Sequence, residues 1–261
     1  MTLPLLVLVA SLCLQITTQE SSPAEACRAR IAEGKRLAHE AVSAADARPL
    51  AAARDAFAAA VAADASSAPA LYHLAWVEST QAVNTLTEPK VQAQALKDAA
   101  KHCEAAVEKD PHSADAKALL ASIYGIQISK NFMLGATLGQ KSTDLVEEAV
   151  KLAPENPRVW IARGAAKLHT PPMFGGDPEV AVKDFEKSVQ LAEKERHDDP
   201  LAPEWGRVES LAWLGRALEK VGRDDDAKKA YERALALEPE YGWVKRVLLP
   251  ALEKRMDKQE E

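Results

Sequence analysis

The sequence has little of what most catalytic or metal-binding proteins display. Glycine is sparse, at 11 of 261 residues, and alternating β-branched runs are few. With alanine abundant, this disfavours an extensive sheet and points to close-packed helices. Cysteine numbers three, and beyond the N-terminal apolar run only Cys27 and Cys103 remain. No C-x-x-C or H-E-x-x-H occurs, and His39, His73, His102, His112, His169 and His197 show no metal-ligand spacing, so no metal centre is expected. G-x-S-x-G is absent too, and adjacent carboxylates such as Glu147-Glu148 face apart on a helix, so neither an enzyme nor a cofactor is expected. A basic excess is also missing: 33 Lys and Arg against 39 Asp and Glu give a net charge of −6 with no basic block. Nucleic acid is therefore not an expected partner.

Long apolar runs are absent except for Leu3 to Leu14 (LPLLVLVASLCL), which has the length of a signal-peptide core and is too short to span a bilayer. Residues 1–19 read as a signal peptide, which predicts export to the periplasm or cell envelope and no membrane span in the mature chain. Val9-Ala10-Ser11 and Ile16-Thr17-Thr18 are usable cleavage sites, although no Lys or Arg precedes the run. Cys13 invites a lipid anchor, but Leu12 before it is larger than lipid-modifying processing prefers.

What is present is concentrated in Val208 to Tyr241 (VESLAWLGRALEKVGRDDDAKKAYERALALEPEY). Counting Val208 as position 1 of a 34-residue unit, Leu214 and Gly215 fall at 7 and 8, Leu218 at 11, Ala227 at 20, Tyr231 at 24, Ala234 at 27 and Pro239 at 32. Two helices of about 14 residues are expected, turned at Val221 to Asp224, with small residues where their backbones meet. Leu211, Leu214, Leu218, Tyr231 and Leu235 form an apolar stripe that one hairpin cannot bury alone.

This pattern resembles the tetratricopeptide repeat, and earlier segments follow it from Glu25 onward. Ala53, Phe57 and Ala60 fit positions 20, 24 and 27 of a loose first hairpin turned at Arg48-Pro49. Leu74, Ala75, Ala99, Cys103 and Ala106 fit the second, Leu120, Ala121, Ser142, Val146 and Ala149 the third, and Arg163, Gly164, Ala181, Phe185 and Ser188 the fourth. Cys103 thus reads as a buried core thiol. Relative to a plain repeat, about 12, nine and five residues are inserted between the helices of hairpins two, three and four. All three insertions are expected as loops along one edge. Trp243 to Lys258 reads as a capping helix within the final segment 242–261. The resemblance implies an all-α, right-handed superhelical solenoid over residues 25–241 with about five hairpins. It also implies a scaffold that binds a protein or peptide partner in a concave groove.

In that family the groove is lined by first-helix positions, which correspond here to Tyr72 and Trp76, Ile126, Arg158 and His169, and Arg216. The Lys and Asn clamp that some members use for a terminal carboxylate is missing, its slots being held by Tyr72, Trp76, Ala118 and Ser122. Two inserted stretches have character of their own. In Thr170 to Pro178 (TPPMFGGDP), Gly175 and Gly176 permit positive φ, and the paired prolines would hold Met173 and Phe174 toward the groove. Gly135 to Ser142 (GATLGQKS) approaches a phosphate loop but has Gln140 where the second glycine belongs and no preceding strand. Its glycines are expected to fold the loop back over its neighbour. The runner-up reading is similar to exported helical-repeat proteins that accompany transporters. There Trp76, Ile126, Phe132, Met133, Met173 and Phe174 would converge on a cavity for a small apolar ligand.

Overall fold

A computed structural model describes residues 22–44, 47–196 and 198–260. The expected signal peptide, Cys13 and His197 lie outside the described residues. Those described form an all-helical solenoid of five antiparallel hairpins: α1 (Pro23–Ala44) with α2 (Ala47–Ala63), α3 (Ala68–Asn84) with α4 (Pro89–Lys109), α5 (Ala114–Lys130) with α6 (Gly135–Leu152), α7 (Pro157–His169) with α8 (Pro178–Ala192), and α9 (Arg207–Lys220) with α10 (Asp224–Leu237). Helix α11 (Leu249–Glu260) closes the open end, with Val244 and Leu252 buried against the fifth hairpin. A π turn over Val244–Leu248 precedes it. Pro250 has no N–H to continue the regular ladder there.

The connections between hairpins repeat one device. Ser67, Ser113 and Asn156 each accept a hydrogen bond from a backbone N–H in the first turn of α3, α5 and α7. Their own N–H groups donate to Asp64, Asp110 and Ala153, which tightens the preceding turn. Such caps satisfy otherwise orphaned donors, at about 1 kcal/mol each.

Within a hairpin the helices are joined by a hollow under a knob. A Cβ on Gly34 would lie 2.4 Å from the Phe57 ring, on Gly164 2.8 Å from Phe185, and on Gly215 2.2 Å from Tyr231. Where the knob is the smaller Cys103 or Val146, the expected partner position holds Ala75 or Ala121 instead. The size of each hollow follows the size of its knob, as close packing requires. Gly34 thus completes a first-hairpin pair of which the sequence pattern supplies only Phe57.

Two of the three insertions are not loops. They lengthen helices: α4 has 21 residues and α6 has 18, against 14 in α9 and in α10. The third stays a connection, as expected, with residues 170–177 lying between α7 and α8. Gly135 has φ −56° and begins α6, and Gly139 lies inside it, so GATLGQKS is helix packed on α5 and not a loop folded back by its glycines. Arg48 and Pro49, expected as a turn, fall in the first turn of α2. Only short turns remain at the shared edge. Asn131 leads a 3₁₀ turn Phe132–Leu134, and Pro171 leads another, Pro172–Phe174.

Candidate functional site

The first helices of the hairpins line the concave face, and a segment of the chain itself lies across it. After α8, residues 193–196 and 198–206 are outside helical structure, and the chain returns to begin α9. Asp199 starts a turn there, its carboxylate accepting from the Leu201 N–H at 2.9 Å and its carbonyl from Ala202 at 3.1 Å. That turn presents carbonyls to the N-terminal hairpins. Lys35 on α1 donates to Pro200 O and Ala202 O, both at 2.9 Å, and pairs with Glu204 at 2.6 Å. His73 on α3 donates through Nε2 to Leu201 O at 2.9 Å. The Leu201 side chain joins the cluster formed by Cys27, Ile31, Phe57 and Leu74.

Trp205 anchors the other end of the segment. Its indole N–H donates to the Tyr72 hydroxyl at 3.1 Å, and its ring lies over Trp76 with centroids 6.3 Å apart and planes at 23°. Its carbonyl accepts from Arg158 at 2.9 Å. Arg158 is buried on α7 and also donates to Asp115 at 2.7 Å and Glu195 at 2.6 Å. Burial alone would weaken proton binding by this guanidinium, but Asp115 and Glu195 outweigh it and hold the group above its ordinary pKa. Gly206 then turns the chain into α9 at φ +130°, its N–H donating to Glu209 at 2.8 Å.

Burial sets the protonation of this surface. The His73 imidazole stacks on Phe57 at 5.1 Å, and desolvation lowers its pKa to about 4, with the nearby Lys35 charge acting in the same direction. It is therefore neutral at neutral pH, with its Nε2 proton fixed by the Leu201 carbonyl. The Tyr72 phenol is pushed well above its usual range by burial. The C-terminal half is built differently. Trp213 packs against Phe185, Trp243 and His169, while the Arg216 guanidinium lies 5.4 Å from the Trp213 centroid and 5.9 Å from that of Trp243. Burial, then the Arg216 charge, lowers the His169 pKa.

The structure thus brings Tyr72, Trp76 and Arg158 together around Trp205, and His169 and Arg216 together around Trp213. Ile126 is partly buried near the end of α5 and joins neither group. The convergence expected of Phe132, Met133, Met173 and Phe174 on a cavity with Trp76 and Ile126 is not found: they are 85%, 72%, 83% and 73% exposed at the turn edge. Of the Gly-Gly turn, Gly175 has the expected positive φ, +92°, whereas Gly176 does not and is glycine for another reason: a Cβ there would meet Thr170 O. The turn aims its neighbours outward. A cleft of about 200 Å³ between α8, α9 and α10, lined in part by Arg207, Leu211 and Arg233, is smaller than the ~300–1,000 Å³ common for small-molecule sites. Among the described residues no group of three or more His, Cys, Asp and Glu is placed to hold a metal, and no helix is long and apolar enough to cross a membrane. Sequence reasoning missed Lys35, His73, Leu201 and Trp205. The available signal was Leu201-Ala202 flanked by Asp199 and Glu204 and followed by Trp205, an apolar centre in an otherwise polar linker.

Stacked helical hairpins around a concave face define a helical-repeat solenoid as the class of protein. Residues 208–241 match the family model described as tetratricopeptide repeat. Residues 208–241 are a tetratricopeptide repeat, and the chain as a whole has the fold of tetratricopeptide-repeat solenoids. The HusA haemophore from Porphyromonas gingivalis superposes with a TM-score of 0.61 and 21% identity, covering 77% of this chain and 96% of that one. A thermophilic TPR protein of Thermus thermophilus superposes with 0.56 and 17% identity, covering 87% of this chain and 97% of that one. Likeness at these identities speaks to the fold. No curated protein matches the chain.

Proposed function

We propose that this protein is a non-catalytic interaction scaffold whose concave face binds an extended peptide of a partner protein, and that residues 198–206 are the internal stand-in for that peptide. The observation that carries the reading is Lys35 and His73 holding three successive linker carbonyls around a partly buried Leu201 side chain that packs on the N-terminal cluster. Carbonyl recognition plus one apolar pocket is how a groove holds extended backbone with limited dependence on sequence. The partner displaces the linker. Its segment carries a leucine-like anchor followed by an acidic residue, because Lys35 already engages Glu204.

A synthetic peptide of residues 196–206 tests this in trans. A Leu201→Gly, Trp205→Gly variant, with its own linker released, should bind the labelled peptide by fluorescence anisotropy. The unaltered chain should bind it at least about tenfold more weakly, and adding Lys35→Ala to the variant should abolish binding. A released variant that ignores the peptide would remove the groove as a peptide site. The carrier of an enclosed small apolar ligand has less support, since its four loop residues stand in the open. Export to the cell envelope is part of the proposal and rests on the Leu3 to Leu14 run. An intact mass of the chain from its own host that retains residues 1–19 would refute it.

A further inference from the structure

The four most exposed large apolar side chains among the described residues lie in two turns on one edge, Phe132 and Met133 between α5 and α6, and Met173 and Phe174 between α7 and α8. Hairpins three and four are adjacent, with α5 packed on α7, so the two tips are neighbours, and exposed Val83 and Val91 continue the edge on hairpin two. The turns hold these side chains outward. The Asn131 side chain accepts from the Met133 N–H at 3.2 Å, the Phe174 N–H donates to Pro171 O at 2.9 Å, and Lys167 reaches Gly175 O at 3.1 Å.

The first tip is basic, in contrast to the whole chain, while exposed Asp177 and Glu179 follow the second. Residues 116–143 and 156–176 contain no Asp or Glu, in a protein of net charge −6. Lys130 and Lys141 flank the first tip, both exposed and in no ion pair among the described residues, and Lys167 flanks the second. Two projecting aromatic-and-methionine pairs with a lysine collar suit a soft anionic layer, whereas a rigid partner would need two separate matching pockets.

We infer that the hairpin-turn edge is an interfacial docking surface for an anionic lipid membrane: Phe132, Met133, Met173 and Phe174 enter the headgroup–acyl boundary, and Lys130 and Lys141 face the phosphates. Docking there leaves the concave face unobstructed. It uses side chains that contribute nothing to the fold, so replacing them leaves stability unchanged.

Flotation of the full chain with vesicles of equal parts phosphatidylglycerol and phosphatidylcholine tests the inference, beside vesicles of phosphatidylcholine alone. Wild type should float with the anionic vesicles. The Phe132→Ser, Met133→Ser, Met173→Ser, Phe174→Ser variant should lose about 100-fold or more in partitioning. The Lys130→Gln, Lys141→Gln pair should lose about tenfold and most of the preference for anionic lipid. A second readout separates the tips from the N-terminal apolar run: an environment-sensitive fluorophore at Met173→Cys should shift to the blue on anionic vesicles, while one at His112→Cys, on the opposite edge, should not. A chain that fails to float, or a label at 173 that stays in water while the chain floats, overturns the proposal. A tip that reports only when a soluble protein is added, with vesicles absent, would assign the edge to a protein partner and overturn it equally.

Discussion

The two halves of the concave face rest on the same hairpin joint and are finished in different ways. In the N-terminal half the face is covered by the returning segment, and half-buried Lys35 and buried His73 and Tyr72 are satisfied by its backbone and by Trp205. In the C-terminal half Trp213, Trp243, His169 and Arg216 cover one another. One half is complete only with a segment in place, and the other is complete by itself. A surface whose polar groups need a backbone partner is one that exchanges partners, because leaving those groups bare costs about 1–3 kcal/mol each.

The largest effect should come from the residue where the halves meet. Arg158→Ala strips Asp115, Glu195 and the Trp205 carbonyl of their common donor, and should cost roughly 3–5 kcal/mol in denaturant unfolding. A loss confined to faster exchange in residues 198–206, with global stability intact, would show that the halves are uncoupled. Acid should act next, and more strongly on the N-terminal half, since His73 is shifted far and His169 in the other half is shifted in the same direction. His73 has its folded pKa lowered to about 4 from 6.5, so its contribution is present above pH 6.5 and is lost as pH falls through 6.5 toward 4, where only the unfolded chain takes up the proton. The groups facing it are Lys35, Asp115 and Glu204. The loss should amount to about 3 kcal/mol relative to His73→Gln across that window, read from stability curves.

The joint itself comes third. Gly215→Ala places a methyl 2.2 Å from Tyr231 and should destabilise by about 1–3 kcal/mol, whereas Gly222→Ala, with open space around a turn residue at φ +78°, should cost about 1 kcal/mol. Equal costs would mean that the knob relaxes freely. The smallest change belongs to Arg216→Gln, which removes only a cation over two indoles and should cost about 0.5–1 kcal/mol with no change in linker exchange.

The difference between the halves also marks what was legible in the sequence. The fifth hairpin was readable to the residue because Gly215, Ala227, Tyr231 and Ala234 keep the plain spacing. The lengthened hairpins kept their small-residue positions but not their lengths. A count of inserted residues shows that a segment is longer and is silent on whether a helix or a loop absorbs it, and Gln92 to Ala106 consists largely of strong helix formers. The occupied groove was harder to foresee. A Pro- and Asp-containing segment reads alike whether it hangs in solvent or lies on a surface, and what decides is Lys35, 165 residues before its acceptor Pro200. Local periodicity carries no record of such a pair.

A stack of repeats ordinarily behaves like a one-dimensional lattice, in which each unit senses only its neighbours and the ends fray independently. The segment that returns from α8 to Lys35, His73 and Tyr72 ties the fourth unit to the first and second. The array is therefore a spring with its coils laced together. Pulled or melted, it should yield in one step and not unit by unit, until whatever unlaces it restores the elasticity of an ordinary solenoid.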